Sequence, residues 1–79
     1  MEDLAQIFEE LRDEHRRDDG SKWTGAALER ATGGAVSRTY ISGLRRGAIK
    51  EPSFRKIVAI SDAMGIPLEA WRGSWVYGE

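Results

Sequence analysis

The sequence predicts an all-α protein, a compact bundle of five short helices that contains a helix-turn-helix. Apolar residues recur at helical spacing, and candidate N-caps and glycine stops separate the helical segments. No alternating strand pattern runs beyond four residues. A chain of 79 residues suffices for one small core, so we expect a single domain over residues 1–79.

The first helix is predicted over residues 3–17. Its apolar side chains lie at the i, i+3, i+4 and i+7 positions of one face: Leu4, Ile7, Phe8 and Leu11. Gly20, within "DDGSKW", is the expected stop. The segment lacks the basic start and apolar run of a signal peptide, and no apolar stretch approaches the roughly 18 residues that a membrane span needs. We therefore expect a cytoplasmic protein.

The second and third helices are predicted to form the helix-turn-helix. Thr24 caps a helix over residues 25–32, and the paired glycines of "TGG" allow a tight reversal. Ser37 caps the third helix, and Gly47 closes it as a C′ residue. The side chains expected to be buried are Ala27, Leu28 and Ala31 in the second helix and Tyr40 (in part), Ile41 and Leu44 in the third.

Two further helices are expected to support this pair. A fourth helix over residues 53–64 follows Pro52 and ends at Gly65, and Ser53 caps it if the helix starts after that residue. Its predicted inner face consists of Phe54, Ile57, Val58, Ser61 and Met64. A last short helix over residues 67–72 places Leu68 and Trp71 against the core, and "GSWVYGE" remains as a tail.

Charge is distributed unevenly along the chain, although the net charge is only −1. Residues 1–20 hold eight acids and three bases, whereas residues 37–56 hold six bases and one acid. The bases of the second segment are Arg38, Arg45, Arg46, Lys50, Arg55 and Lys56. Such asymmetry can make one face attractive to phosphate while the whole chain stays near neutrality.

The third helix joins an apolar edge to a basic one within "SRTYISGLRRG". Ile41 and Leu44 anchor it, while Arg38 and Thr39 project outward just after the Ser37 cap. A helix of this diameter fits the major groove, where arginine can bond the O6 and N7 atoms of guanine. We infer that the apolar edge anchors the helix and the basic edge reads double-stranded DNA.

The stretch "TGAALERATGGAVSRTYISGLRRGAIKEPSFRKIVAISDAMGIP" resembles the lambda-repressor-like helix-turn-helix of the Cro/XRE regulators, and its end is most similar to the actinobacterial branch. The resemblance covers residues 24–72 and implies a lambda-repressor-like five-helix fold. It also implies base contacts from Ser37, Arg38, Thr39 and Ser42, and phosphate contacts from Thr24, Gly25, Tyr40, Arg45, Arg46 and Lys50.

Three positions depart from the family pattern. Gly43 stands where relatives usually have a further long base-contacting side chain. The turn "TGGAV" is about two residues longer than the family norm, which puts the angle between the two helices in question. Arg45 replaces a glutamate that in many relatives pairs with an arginine of the first helix. Arg45 is therefore either exposed or paired in reverse with Glu9, Glu10 or Asp13.

Two other functions are compatible with the sequence besides DNA binding by a repressor. A protein-interaction helix-turn-helix would bind a toxin, sigma factor or other regulator through the acidic first helix, and a nucleoid binder would need little sequence preference. The sequence contains no phosphate loop and no cysteine, and His15 is its only histidine, so we predict no enzyme, metal site or cofactor. Three tryptophans could form a ligand cage, but packing is commoner.

The tail at residues 73–79 is the candidate surface for a homodimer, because Trp75, Val76 and Tyr77 follow the last core helix. Family relatives bind DNA as dimers on two half-sites. The alternative is that the tail folds back on its own core near Trp23.

Overall fold

Four α-helices and one 3₁₀ turn make up the part of the chain that the structure describes. The structure, a computed structural model, describes residues 3–75. The elements are α1 (Leu4–Glu14), α2 (Gly25–Ala31), α3 (Arg38–Arg46), α4 (Phe54–Met64) and the 3₁₀ turn Leu68–Trp71. The predicted all-α fold with a helix-turn-helix is confirmed, and no strand occurs in these residues. The predicted count of five short helices is not exact, because the last one is a four-residue 3₁₀ turn that ends where Arg72 becomes left-handed, with φ 59°.

Side-chain caps fix where each α-helix begins. Asp3, Thr24, Ser37 and Ser53 each precede a helix and accept a hydrogen bond from the main-chain N–H three residues later. The last three are the caps that the sequence predicts. Gly47 and Gly65 end α3 and α4 with φ values of 77° and 71°, a conformation that glycine adopts without steric strain.

The first helix is shorter than the predicted span of residues 3–17. His15 leaves the helical conformation, with φ −117° and ψ 79°, although its N–H still bonds the Leu11 carbonyl. The following loop then closes on itself, since the Arg17 N–H donates to the Ser21 carbonyl at 2.9 Å. These loop bonds compete with further helical turns and end α1 at Glu14.

The core lies where all four helices and the 3₁₀ turn meet. Its largest fully buried side chains are Trp71, Phe8, Leu28, Ile41, Leu44, Ile57 and Ile60. The Trp71 ring stacks on Phe8 with centroids 5.9 Å apart, and its Nε1–H donates to Ser61 Oγ at 2.7 Å. A buried indole therefore fills the centre without leaving its polar atom unbonded.

Burial differs from the prediction at a few positions. Ala31 is exposed, and Phe54 and Val58 are only half-buried. Ile60, which was not predicted, is fully buried, because the inner face of α4 consists of Ile57, Ile60, Ser61 and Met64. Within residues 3–75, no helix has both the length and the apolar character that a membrane span requires.

Arg12 is a buried charged residue that ties α1 to the start of the helix-turn-helix. Its Nε–H donates to the Trp23 carbonyl at 2.9 Å, and Nη1 lies 2.6 Å from Glu9 Oε1. Its side chain is only 6% exposed. Trp23 immediately precedes the Thr24 cap, so Arg12 fixes the chain just before α2 begins.

Candidate nucleic-acid interface

Helix α3 presents one exposed stripe of polar and basic side chains. Each helical residue turns the chain by about 100°, which places four side chains on one side of α3. They are Arg38, Thr39, Ser42 and Arg46, and all four are exposed. Ile41 and Leu44 are buried on the opposite side. We call these four residues the outer stripe. The structure thus brings together on one surface three of the four predicted base contacts.

Ser37, the fourth predicted base contact, caps α3. Its Oγ accepts the Tyr40 N–H at 3.0 Å. The hydroxyl hydrogen is not used in that bond and can still donate to a ligand. Ser37 is exposed at the entry to α3, directly before the outer stripe begins.

The first residue of α3 is held by a carboxylate from α2. Glu29 Oε2 accepts the Arg38 N–H at 3.2 Å, and Oε1 accepts the Arg38 Nε–H at 3.0 Å. These side-chain and main-chain bonds from Arg38 hold the pKa of Glu29 below its usual range. Arg38 is nevertheless 65% exposed, so a base edge can reach its terminal nitrogens.

The start of α2 lies directly beside the start of α3. A Cβ on Gly25 would come within 3.3 Å of both Arg38 Cβ and the Arg38 carbonyl oxygen, so any larger residue would push the two helices apart. Gly25, Arg38, Thr39, Ser42 and Arg45 line one shallow depression between these helices. Thr24, at its rim, is exposed and uses its Oγ1 to cap α2.

The long turn between α2 and α3 is ordered by its own hydrogen bonds. Gly33 and Gly34 both have positive φ, at 64° and 87°. The Gly34 N–H returns to the Glu29 carbonyl at 2.9 Å, and Thr32 Oγ1 bonds the Leu28 carbonyl at 2.8 Å. Val36 is fully buried. The extra residues therefore form a compact reversal that is anchored in the core.

Gly43 lies in α3 beneath the loop that follows the helix. A Cβ at this position would come within 3.0 Å of Ile49 Cδ1, and Gly43 itself is buried. Ile49, from the loop after α3, fills the space beside Gly43. The lack of a side chain at Gly43 therefore lets the loop approach α3, and the position of Gly43 as a missing base contact stays a prediction.

Arg45 pairs in reverse with α1, one of the two alternatives that the sequence leaves open. Arg45 Nε lies 3.4 Å from Glu9 Oε1, the same oxygen that contacts Arg12. Burial raises the pKa of Glu9, but the hydrogen bond from Arg12 and the charges of Arg12, Arg45 and Lys22 outweigh it and leave the pKa lowered. Because Glu9 and Arg45 are 43% and 51% exposed, this pair contributes little stability.

The remaining predicted phosphate contacts lie at two separate places. Arg46 is exposed and donates from Nε to the Ser42 carbonyl at 3.3 Å, and Lys50 is exposed in the following loop. Lys50 Nζ lies 4.0 Å from where a Cβ on Gly47 would be, at the end of α3. Tyr40 is half-buried on another side of α3, with Lys56 Nζ 5.0 Å from its ring centroid.

The three tryptophans do not share a cage, because each packs against a different partner. Trp71 stacks on Phe8, Trp23 lies under Arg17 with 5.6 Å to the ring centroid, and Trp75 lies 5.6 Å from the Phe54 ring.

Trp75, the first apolar residue of the predicted dimer strip, is half-buried against Phe54 of α4 in the same chain. Val76 and Tyr77 lie outside the described residues.

Sequence reasoning missed several residues that shape this surface. Arg12 had a detectable signal, because it follows Phe8 by four residues and so continues the apolar stripe of α1. Glu29 and Ile49 had none, since each contacts a residue of a different element, and only the tertiary arrangement creates that contact.

The fold and the outer stripe define a helix-turn-helix domain. Residues 16–71, more than half of the chain, match the family model described as helix-turn-helix. The chain belongs to the lambda-repressor-like helix-turn-helix family of the Cro/C1 type, a family of DNA-binding domains. No curated protein and no solved structure matches it significantly. The actinobacterial branch stays a prediction.

Proposed function

We propose that the protein is a sequence-specific DNA-binding regulator that inserts α3 into the major groove and represses transcription by occupying its site. One observation carries this proposal. The outer stripe presents two arginines, a threonine and a serine on the exposed side of α3. The opposite side of this helix is packed in the core. These side chains offer the donors that read guanine and the hydroxyls that suit any base.

The proposed contacts divide along α3. Arg38, Thr39 and Ser42, with Ser37 at the cap, contact base edges. Arg46 and Lys50 bind phosphates at the far end of the helix, because both are exposed where it meets its loop. The predicted phosphate set is completed by four further residues. Thr24 and Gly25 contact phosphate at the start of α2. Tyr40 does so beside Lys56, and Arg45 does so after its ion pair with Glu9 opens.

The acidic first helix favours DNA binding over the protein-interaction alternative. Its acids are largely paired within the chain: Glu9 with Arg12 and Arg45, Glu10 with Arg72, and Asp13 with Arg16 and Lys22. Charges that are already paired attract a basic partner less strongly. The acidic residues of α1 therefore leave less unpaired charge than the sequence suggests.

We also propose that residues 1–79 act as one DNA-binding unit and that two copies bind together on DNA. Three or four base-reading side chains per chain are few for a tight complex, and helix-turn-helix proteins gain affinity by placing two copies on half-sites about one helical turn apart. A chromosomal target implies a cytoplasmic, nucleoid location. Sedimentation of the chain with a selected duplex tests the stoichiometry, and a single copy per site at saturation would contradict the dimer.

A salt titration on two duplexes tests the proposed function. One duplex is enriched from a randomised library with this protein, and the other is random. We expect the selected duplex to bind about 10³-fold or more tightly, with affinity falling steeply with salt on both. Equal affinity on both duplexes would indicate a nucleoid binder. Binding to neither would leave the protein-interaction alternative.

A further inference from the structure

Glu29 contacts Arg38 twice with one carboxylate. Oε2 bonds the main-chain N–H of Arg38, and Oε1 bonds its side-chain Nε–H. The lowered pKa of Glu29 keeps this carboxylate ionised at neutral pH. A long side chain that is two-thirds exposed would normally sample several rotamers, but these two bonds hold the backbone and the guanidinium of Arg38 relative to α2.

We propose that Glu29 is a specificity-determining positioning residue: it aims the Arg38 guanidinium into the groove and weakens binding to DNA that lacks the matching base pair. This inference rests on the proposed function, in which α3 reads bases.

The aiming follows from which guanidinium atoms are used. The bond to Glu29 engages Nε, at the inner end of the planar group. The outer edge, formed by Nη1 and Nη2, is the edge that can bond the O6 and N7 atoms of guanine together. An arginine that is already held in this direction loses less conformational entropy when it binds. The protein therefore binds DNA with the matching base pair more tightly.

The charge of Glu29 supplies the discrimination. A carboxylate beside the start of α3 repels nearby phosphates whatever the sequence, and this lowers affinity for every duplex. Only a base that bonds the outer edge of Arg38 offsets that loss. Arg38 is also prevented from turning to a phosphate on a wrong sequence, because Glu29 is a competing partner. Rejecting wrong partners in this way is a general source of specificity.

A purely structural role for Glu29 is separable from this one. The Thr24 and Ser37 caps, the buried Leu28 and Ile41 side chains and the Gly34 bond to the Glu29 main chain all persist without the carboxylate. We therefore expect substitution of the side chain to change base preference more than folding.

The test compares two variants of Glu29 on a randomised duplex library. Glu29→Gln removes the charge and one of the two acceptor oxygens. Glu29→Asp keeps the charge, but its side chain is one methylene too short to bond both the main-chain N–H and the Nε–H of Arg38. Glu29→Gln should bind random duplex about two- to threefold more tightly, the effect of one charge at roughly 7–10 Å in water. Glu29→Asp should leave random binding unchanged.

Both variants should lose about three- to tenfold of the preference at the base pair that Arg38 reads, which is within the range that one ordinary hydrogen bond supplies. Glu14→Gln is the matched control, since Glu14 is an exposed acid at the end of α1; it should leave the preference unchanged. Circular dichroism checks that every variant keeps its helices.

A double-mutant cycle with Arg38→Ala shows whether Glu29 acts through that arginine. In the Arg38→Ala background, Glu29→Asp should have no further effect on base preference. Unchanged preference in both Glu29 variants, or an equal loss with and without Arg38, would overturn the positioning role while the proposed function stands. If the unsubstituted protein enriches no sequence at all, the proposed function fails and this inference fails with it.

Discussion

Replacing Arg12 by methionine should destabilise the protein although most of the side-chain volume remains. The Trp23 carbonyl would lose a charge-assisted hydrogen bond of 2.9 Å, a loss of about 1.5–3 kcal/mol. The ion pair with Glu9 adds only about 0–1 kcal/mol, because the Glu9 side chain is 43% exposed. Burial of the methionine terminus offsets roughly 1 kcal/mol. We therefore expect a net loss of about 0.5–3 kcal/mol.

Arg16→Met is the matched control for this substitution. Arg16 contacts Asp13 at the same 2.6 Å and the same i, i+3 spacing as Arg12 contacts Glu9, but it is 44% exposed rather than 6%. The Arg16→Met substitution should lower the free energy of unfolding by only about 0–1 kcal/mol. Thermal unfolding followed by circular dichroism measures both, and a domain of this size shifts its Tm by about 4–8 °C per kcal/mol.

Equal shifts for the two variants would refute the reasoning, because burial would then not matter. Greater stability in Arg12→Met would also refute it, since the hydrogen bond to the Trp23 carbonyl would then contribute less than apolar packing does.

The remaining predictions concern α3, its loop and acid stability. Gly43→Leu should displace Ile49, which already lies 3.0 Å from the Cβ position, and lower the free energy of unfolding by about 1–3 kcal/mol in urea titrations. Lys50→Ala should weaken selected and random duplexes alike and reduce the salt slope by about one unit; a loss confined to the selected duplex would contradict a phosphate contact. The pKa of Glu9 is lowered below 4.5 in the folded protein. The stability that its ionised carboxylate contributes should therefore be present above that pH, and it should be lost as the pH falls further, through the lowered pKa. Glu9→Gln should make acid unfolding less steep, and an unchanged pH profile would show that its ion pairs contribute nothing.

The features of the fold that depend on local chemistry follow directly from the sequence. Thr24, Ser37 and Ser53 cap helices in the structure as predicted. A serine or threonine that directly precedes a segment with helical apolar spacing is strongly preferred as an N-cap. Gly47 and Gly65 end helices for an equally local reason. The lengths of α1 and of the last segment were misjudged, because loop hydrogen bonds beyond Glu14 and the left-handed Arg72 are not visible in periodicity.

The outer stripe was predictable for the same reason, since its four residues share one helix and one face. The contacts that modify the stripe were not. Gly43 was interpreted from its position in α3 alone, whereas its environment is set by Ile49, six residues later. Glu29 and Arg38 are nine residues apart and meet only because the turn between α2 and α3 reverses the chain. Pairings of this kind depend on the angle between helices, which local patterns do not specify.

Replacing guanine N7 in the selected duplex tests most directly whether α3 reads the major groove. Each guanine of the site is exchanged in turn for 7-deazaguanine, which removes one major-groove acceptor and leaves base pairing intact. One position should weaken binding of the unsubstituted protein about tenfold and leave the Arg38→Ala variant unaffected. If no position does so, or if the same loss occurs without the Arg38 side chain, α3 does not read guanine in the major groove through Arg38.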